Sequence, residues 1–117
     1  MKSIKKNAEF VGVFSQPTDQ KFSNNIFYRF TLTITEINAR EKTFRAEINW
    51  PDNNNSKTKA KGKFNSDNVY IVEYDLIEGS GVSFPTIYEG KVVGTSICGI
   101  AKHANYQGTF FLDNVKK

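Results

Sequence analysis

Few residues in this chain have the chemistry of a catalyst. His103 is the single histidine and Cys98 the single cysteine. A thiolate beside an imidazole would be a nucleophile with its base, but the fold, not the sequence spacing, must create that pairing. With so few nitrogen and sulfur ligands, no metal site and no cofactor are expected. Glu73 and Asp75 would share one face of a strand and could work as an acid–base pair. Lys59 and Lys61 in the preceding segment explain them more simply as ion-pair partners. Gly79-Ser80-Gly81 begins like a dinucleotide fingerprint, but Phe84 stands where the third glycine belongs and no helical pattern follows. Gly90-Lys91 lacks the rest of a phosphate loop. No nucleophile, base and orienting group assemble from these motifs. No catalytic residue is assigned, and the expected function is not enzymatic.

Two other sets have the chemistry of binding. Lys57, Lys59, Lys61 and Lys63 recur at every second position and would form one row on a strand face. With aromatic neighbours, such a row could track a polyanion. It also blunts edge pairing and keeps a sheet soluble, the reading preferred here. The second set is Tyr28, Phe30, Phe44, Trp50, Tyr70, Tyr74 and Tyr88, assigned to a common interior beside Ala46, Ala60 and Gly62. Large aromatic groups next to small residues either wall a ligand pocket or fill a core. The polar tips of Tyr and Trp suit the pocket.

Strict alternation dominates the segments that must position these groups. In 28–35, Tyr28, Phe30, Leu32 and Ile34 alternate with Arg29, Thr31, Thr33 and Thr35, as a half-buried antiparallel strand requires. Segment 43–50 repeats the pattern with Phe44, Ala46, Ile48 and Trp50. Further strands are expected at 8–15, 57–64, 69–77, 82–88, 91–99 and 106–113. The connection 16–25 is the longest. Glu89-Gly90 reads as a tight turn and 101–105 as a loop. Between 57–64 and 69–77, one register sets Lys61 across from Glu73 and Lys59 across from Asp75. It places Tyr70, Val72, Tyr74 and Leu76 inside, and it requires Glu73 to face solvent. About eight strands with short connections make an all-β, antiparallel, up-and-down meander that closes into a single barrel. The 117 residues suit one domain over 1–117, with flexible tails at 1–6 and 114–117.

The formal charge of +4 and pI near 9.2 suggest nucleic acid until the charge is placed. Lys2, Lys5, Lys6, Lys116 and Lys117 are terminal; without them 11 basic groups face 12 acidic ones, a formal charge of −1. The folded body is near neutral, which favours solubilising ends over a basic face. An aromatic content of 14% argues against disorder. No apolar run is long enough to span a bilayer. Asn7-Ala8-Glu9 falls where the apolar core of a signal peptide would lie, so a cytoplasmic location is expected.

The stretch from Tyr88 to Gly99, with Gly90, Gly94 and Gly99, and the later Gly108-Thr109-Phe110-Phe111-Leu112 resemble the closing hairpins of lipocalin-like, or calycin, barrels. Gly12-Val13-Phe14 falls where lipocalins and avidins have Gly-x-Trp, with Phe14 in place of the Trp. The late arginine that packs on that Trp has no counterpart near 106–117. The resemblance implies a barrel that takes a small apolar or aromatic ligand, or a protein partner, at its open end. An OB-like nucleic-acid module using the 57–63 face is the alternative, and a filled barrel acting as an interaction domain is the third reading.

Overall fold

The structure is a computed structural model that describes residues 4–17, 25–82, 84–104 and 106–115. Its strands are β1 (Glu9–Pro17), β2 (Asn25–Asn38), β3 (Thr43–Trp50), β4 (Ser56–Asn65), β5 (Asn68–Glu78), β6 (Thr86–Val93), β7 (Ser96–His103) and β8 (Tyr106–Asn114). Each pairs antiparallel with its neighbour in the chain, and β1 pairs with β8, closing an eight-stranded up-and-down barrel. Closure leaves no free sheet edge. This consecutive order is not the five-stranded Greek key of an OB-fold, so the OB-like architecture is corrected.

Alternation builds the core directly. Phe44, Ala46, Ile48 and Trp50 of β3 are buried, while Thr43, Arg45, Glu47 and Asn49 point outward. Phe10 and Phe14 of β1, Phe30, Leu32 and Ile34 of β2, and Phe110 and Leu112 of β8 complete one continuous cluster. Each large apolar side chain contributes about 1.5–3 kcal/mol by leaving water. The seam needs glycine at Gly12, which pairs with Leu112. A Cβ there would sit 1.7 Å from the Phe111 carbonyl oxygen.

One end of the barrel is plugged by its own N-terminal segment. Ile4 and Ala8 are buried in the core. The Asn7 amide donates to the Ile34 carbonyl at 2.8 Å, and the Ile34 amide donates to the Ala8 carbonyl at 2.9 Å. The expected flexible tail at 1–6 is therefore corrected at Ile4, and that at 114–117 is corrected at Asn114, which is also buried. Lys2, Lys116, Lys117 and most of the long 16–25 connection lie outside the described residues.

The β6–β7 turn falls at Gly94-Thr95, not at Glu89-Gly90. Gly94 supplies the positive backbone angle, φ 65°. Gly90 instead lies mid-strand opposite Gly99. The expected 101–105 loop is shorter as well, because β7 continues through His103.

The β4–β5 register departs most from expectation. Lys59 does face Asp75, but Lys61 faces Val72 and Glu73 faces Ala60, with a register shift between Lys59 and Ala60. Val69 and Ile71 point inward and are buried. Alternation then carries Glu73 inward and Tyr70 and Val72 outward. Tyr74 is the extra residue of the bulge, and the strand beyond it is exposed. Tyr70, Val72, Tyr74 and Leu76 are therefore not an interior set, and Glu73 does not face solvent.

Candidate functional site

The end of the barrel opposite the Ile4 plug holds a cavity of about 160 Å³. β1 brings Phe14, β2 Tyr28, β3 Trp50, and β6 Thr86 and Tyr88 to its wall, with Glu73 from β5. An aromatic stack forms the body of the site. Trp50 lies on Phe30 with ring centroids 4.7 Å apart, and Phe14 meets Trp50 edge-on at 6.2 Å. Tyr88 continues the stack beyond Phe30 at 6.1 Å and meets Phe110 edge-on at 5.4 Å. Such pairs contribute about 0.5–1.5 kcal/mol beyond the area they bury. They also fill the barrel below the cavity.

Glu73 is the polar centre of this end, with 1% of its surface exposed. Its Oε2 accepts from Trp50 Nε1 at 2.8 Å and from Thr58 Oγ1 at 2.5 Å, and its Oε1 accepts from the Tyr88 hydroxyl at 2.9 Å. Burial pushes the carboxyl above its ordinary range, opposed by the hydrogen bonds from Thr58, Trp50 and Tyr88. A carboxylate offers about four acceptor sites, and Glu73, which accepts from Trp50, Thr58 and Tyr88, lines the cavity.

The rim is fastened by polar turns. Arg29 Nη2 donates to Asp52 Oδ1 at 2.6 Å, and Arg29 Nε donates to Oδ2 at 2.9 Å. The backbone amide of Arg29 adds a bond to Oδ2 at 3.0 Å. The Arg29 side chain, then its backbone amide, hold the Asp52 carboxyl at about 2, below its ordinary 3.8. The same contacts raise the Arg29 guanidinium. The Asn-rich turn is bound to the Gly79–Gly81 segment: Asn53 Nδ2 donates to the Gly81 carbonyl at 3.0 Å, and Ser56 Oγ to the Ser80 carbonyl at 2.6 Å.

Of the expected pocket residues, Phe30, Phe44, Trp50 and Tyr88 are buried and Tyr28 is half-buried against the core. Phe44 packs beside Phe64 at 6.4 Å and does not line the mouth cavity. Tyr70 and Tyr74 lie on the outer face beneath Lys63 and Lys61. Cys98 and His103 are five positions apart on the regular strand β7, so alternation turns them to opposite faces and they do not form a nucleophile–base pair. Glu73 and Asp75 are likewise divided between interior and exterior, which removes the carboxylate pair. Among the described residues, no group of three or more His, Cys, Asp or Glu is placed to hold a metal ion. No helix among them is long and apolar enough to cross a membrane.

The sequence reading missed Glu73 as a buried acceptor and the polar floor around it. A signal was present: Ser56 and Thr58 share strand parity with inward Ala60, and a buried Trp needs a partner for its N–H. Comparison with protein-family models gives no match, and neither does comparison with curated proteins.

Proposed function

We propose that the protein is a non-enzymatic, lipocalin-like binding barrel that takes a compact, single-ring apolar ligand with one hydrogen-bonding group at its open end. The observation that carries this reading is the mouth cavity of about 160 Å³ between Phe14, Tyr28, Trp50 and Tyr88, with the Glu73 carboxyl in its wall. Its volume is close to the roughly 150 Å³ of an apolar cavity that accepts benzene. It is smaller than the roughly 300–1,000 Å³ of pockets for drug-sized ligands. A fatty acid or a haem is therefore a poor match, and a phenol or a small amine-bearing ring is a good one. The aromatic walls supply apolar area, while Glu73 supplies an acceptor when ionised or a donor when protonated.

Trp50 is the only tryptophan, so its fluorescence reports directly on the site. Titration with phenol, p-cresol and benzylamine should give saturable changes, whereas a naphthalene-sized dye should not enter. Val82, a half-buried residue of the cavity wall, provides the control. Val82→Phe fills the space and should abolish the signal while the barrel stays folded. No saturable response to any ring, or a response unchanged in Val82→Phe, would overturn this reading.

A further inference from the structure

We propose that the outer face of β3, β4 and β5 is a second, separate site, which binds single-stranded nucleic acid through Arg45, Lys61, Lys63 and the adjoining tyrosines. The lysine row of β4 is not electrostatically uniform. Lys57 Nζ lies 3.7 Å from Glu78, and Lys59 stands in register between Glu47 on one side and Asp75 on the other. That half is answered by acids. Lys61 stands between Arg45 and Val72, and Lys63 between Thr43 and Tyr70, with no acid in register on either side. Glu36 meets Arg45 at 3.9 Å with both side chains largely exposed, and Glu89, in register beyond Tyr70, is paired with Lys102 at 3.4 Å. An exposed pair like that of Glu36 and Arg45 is weak and readily exchanged for a stronger anion.

β5 adds the aromatic component. Alternation places Tyr70 outward beside Lys63 and Tyr74 outward beside Lys61, and the bulge leaves Tyr74 without a cross-strand partner on β4. Each lysine ammonium lies 5.4 Å from the centroid of its tyrosine ring. A groove of about 810 Å³ borders this face, lined by Arg45, Lys61, Lys63 and Tyr70, with Glu36 and Phe44 also in its wall. Cations bind phosphates without regard to sequence, and aromatic faces stack bases. An acidic peptide could meet the charge but has no use for the stacking faces, so a single strand is the occupant the groove fits best.

The test is fluorescence anisotropy with a labelled oligothymidylate of about 12 nucleotides, within the usual span of single-strand sites. Three engaged cations predict that log K falls against log salt with a slope of about −2. Lys61→Gln with Lys63→Gln should reduce affinity at least tenfold and flatten that slope to about −0.7. The matched pair Lys57→Gln with Lys59→Gln should change affinity less than about threefold, since those charges are already answered. Tyr74→Ala should weaken binding by about fivefold or more. The inward Val82→Phe variant should bind the oligonucleotide normally, so failure of the cavity reading and failure of this one are distinguishable. Equal losses from the two lysine pairs would overturn the proposal. So would loss on replacing only Lys2, Lys5, Lys6, Lys116 and Lys117 by Gln, or equal competition by polyglutamate.

Discussion

Glu73 should make the barrel less stable as pH rises, the reverse of the usual behaviour of a surface carboxylate. Its folded-state titration lies above the ordinary 4.5, because burial disfavours the charged form. Between those two positions the folded chain holds a proton that the unfolded chain has lost. Unfolding free energy must then fall with pH, starting near 4.5 and ending where folded Glu73 ionises. One group contributes a slope of at most about 1.4 kcal/mol per pH unit. Glu73→Gln removes the titration but keeps a carbonyl for Trp50 Nε1 and Thr58 Oγ1, with its amide nitrogen donating to the Tyr88 oxygen. That variant should lie within about 1 kcal/mol of the parent near pH 5 and gain on it as pH rises. Glu73→Leu strands the Trp50, Thr58 and Tyr88 donors in the interior. At about 1–3 kcal/mol for each unmet buried donor, it should lose about 3 kcal/mol or more. Urea unfolding followed by Trp50 fluorescence, repeated from about pH 5 to pH 8, measures all three proteins within the relevant range. Subtracting the Glu73→Gln curve removes the other titrating groups. A difference that does not change with pH would refute the argument, and so would a Glu73→Leu variant as stable as the parent.

Other expectations follow from the rim, the seam and the stack. Asp52 is depressed from 3.8 to about 2, so its pairing with Arg29 stabilises the fold above pH 3.8 and is lost as pH falls towards 2. Asp52→Asn should abolish that small acid-side contribution, and added salt should shrink it in the parent, as read from urea midpoints at each pH. Gly12→Ala places a methyl group against the Phe111 carbonyl. It should lower the urea midpoint by the equivalent of about 1–3 kcal/mol and raise amide exchange along the β1–β8 pairing. Phe30→Ala removes the ring between Trp50 and Tyr88. It should cost about 3–5 kcal/mol, and the enlarged cavity should then admit the naphthalene-sized dye that the parent excludes.

Alternation carries the architecture plainly in the sequence, because one inward face per strand leaves few closed arrangements. β3 appears in the structure with the bounds its pattern predicts, and Phe10, Gly12 and Phe14 share the face assigned to them. Alternation does not carry register across a bulge. Val69-Tyr70-Ile71-Val72 is apolar at every position, so either parity can be inward, and charge pairing favours the one the structure does not adopt. The decisive quantity was burial of Val69 and Ile71 together with three donors for Glu73. All three donors are remote in sequence, since Trp50 is 23 positions and Thr58 and Tyr88 are each 15 positions away. The split in the lysine row follows from the same register. Once Glu73 is inside, it no longer answers Lys61.

The bulge therefore links the two candidate sites. Without the extra residue at Tyr74, β5 would keep its parity through Asp75: Asp75 would follow Glu73 inward and Tyr74 would remain outside by alternation alone. With it, Glu73 completes the floor of the mouth cavity while Asp75 returns to the surface opposite Lys59. A second buried carboxylate beside Glu73 would face the repulsion and desolvation that make unpaired interior charges so costly. The irregularity thus admits a single acid to the interior, leaves Lys59 answered, and leaves Lys61 beside a tyrosine. The inward place of Glu73 and the outward return of Asp75 to Lys59 are set by one local change of register, and a substitution that regularised β5 there would disturb both sites together.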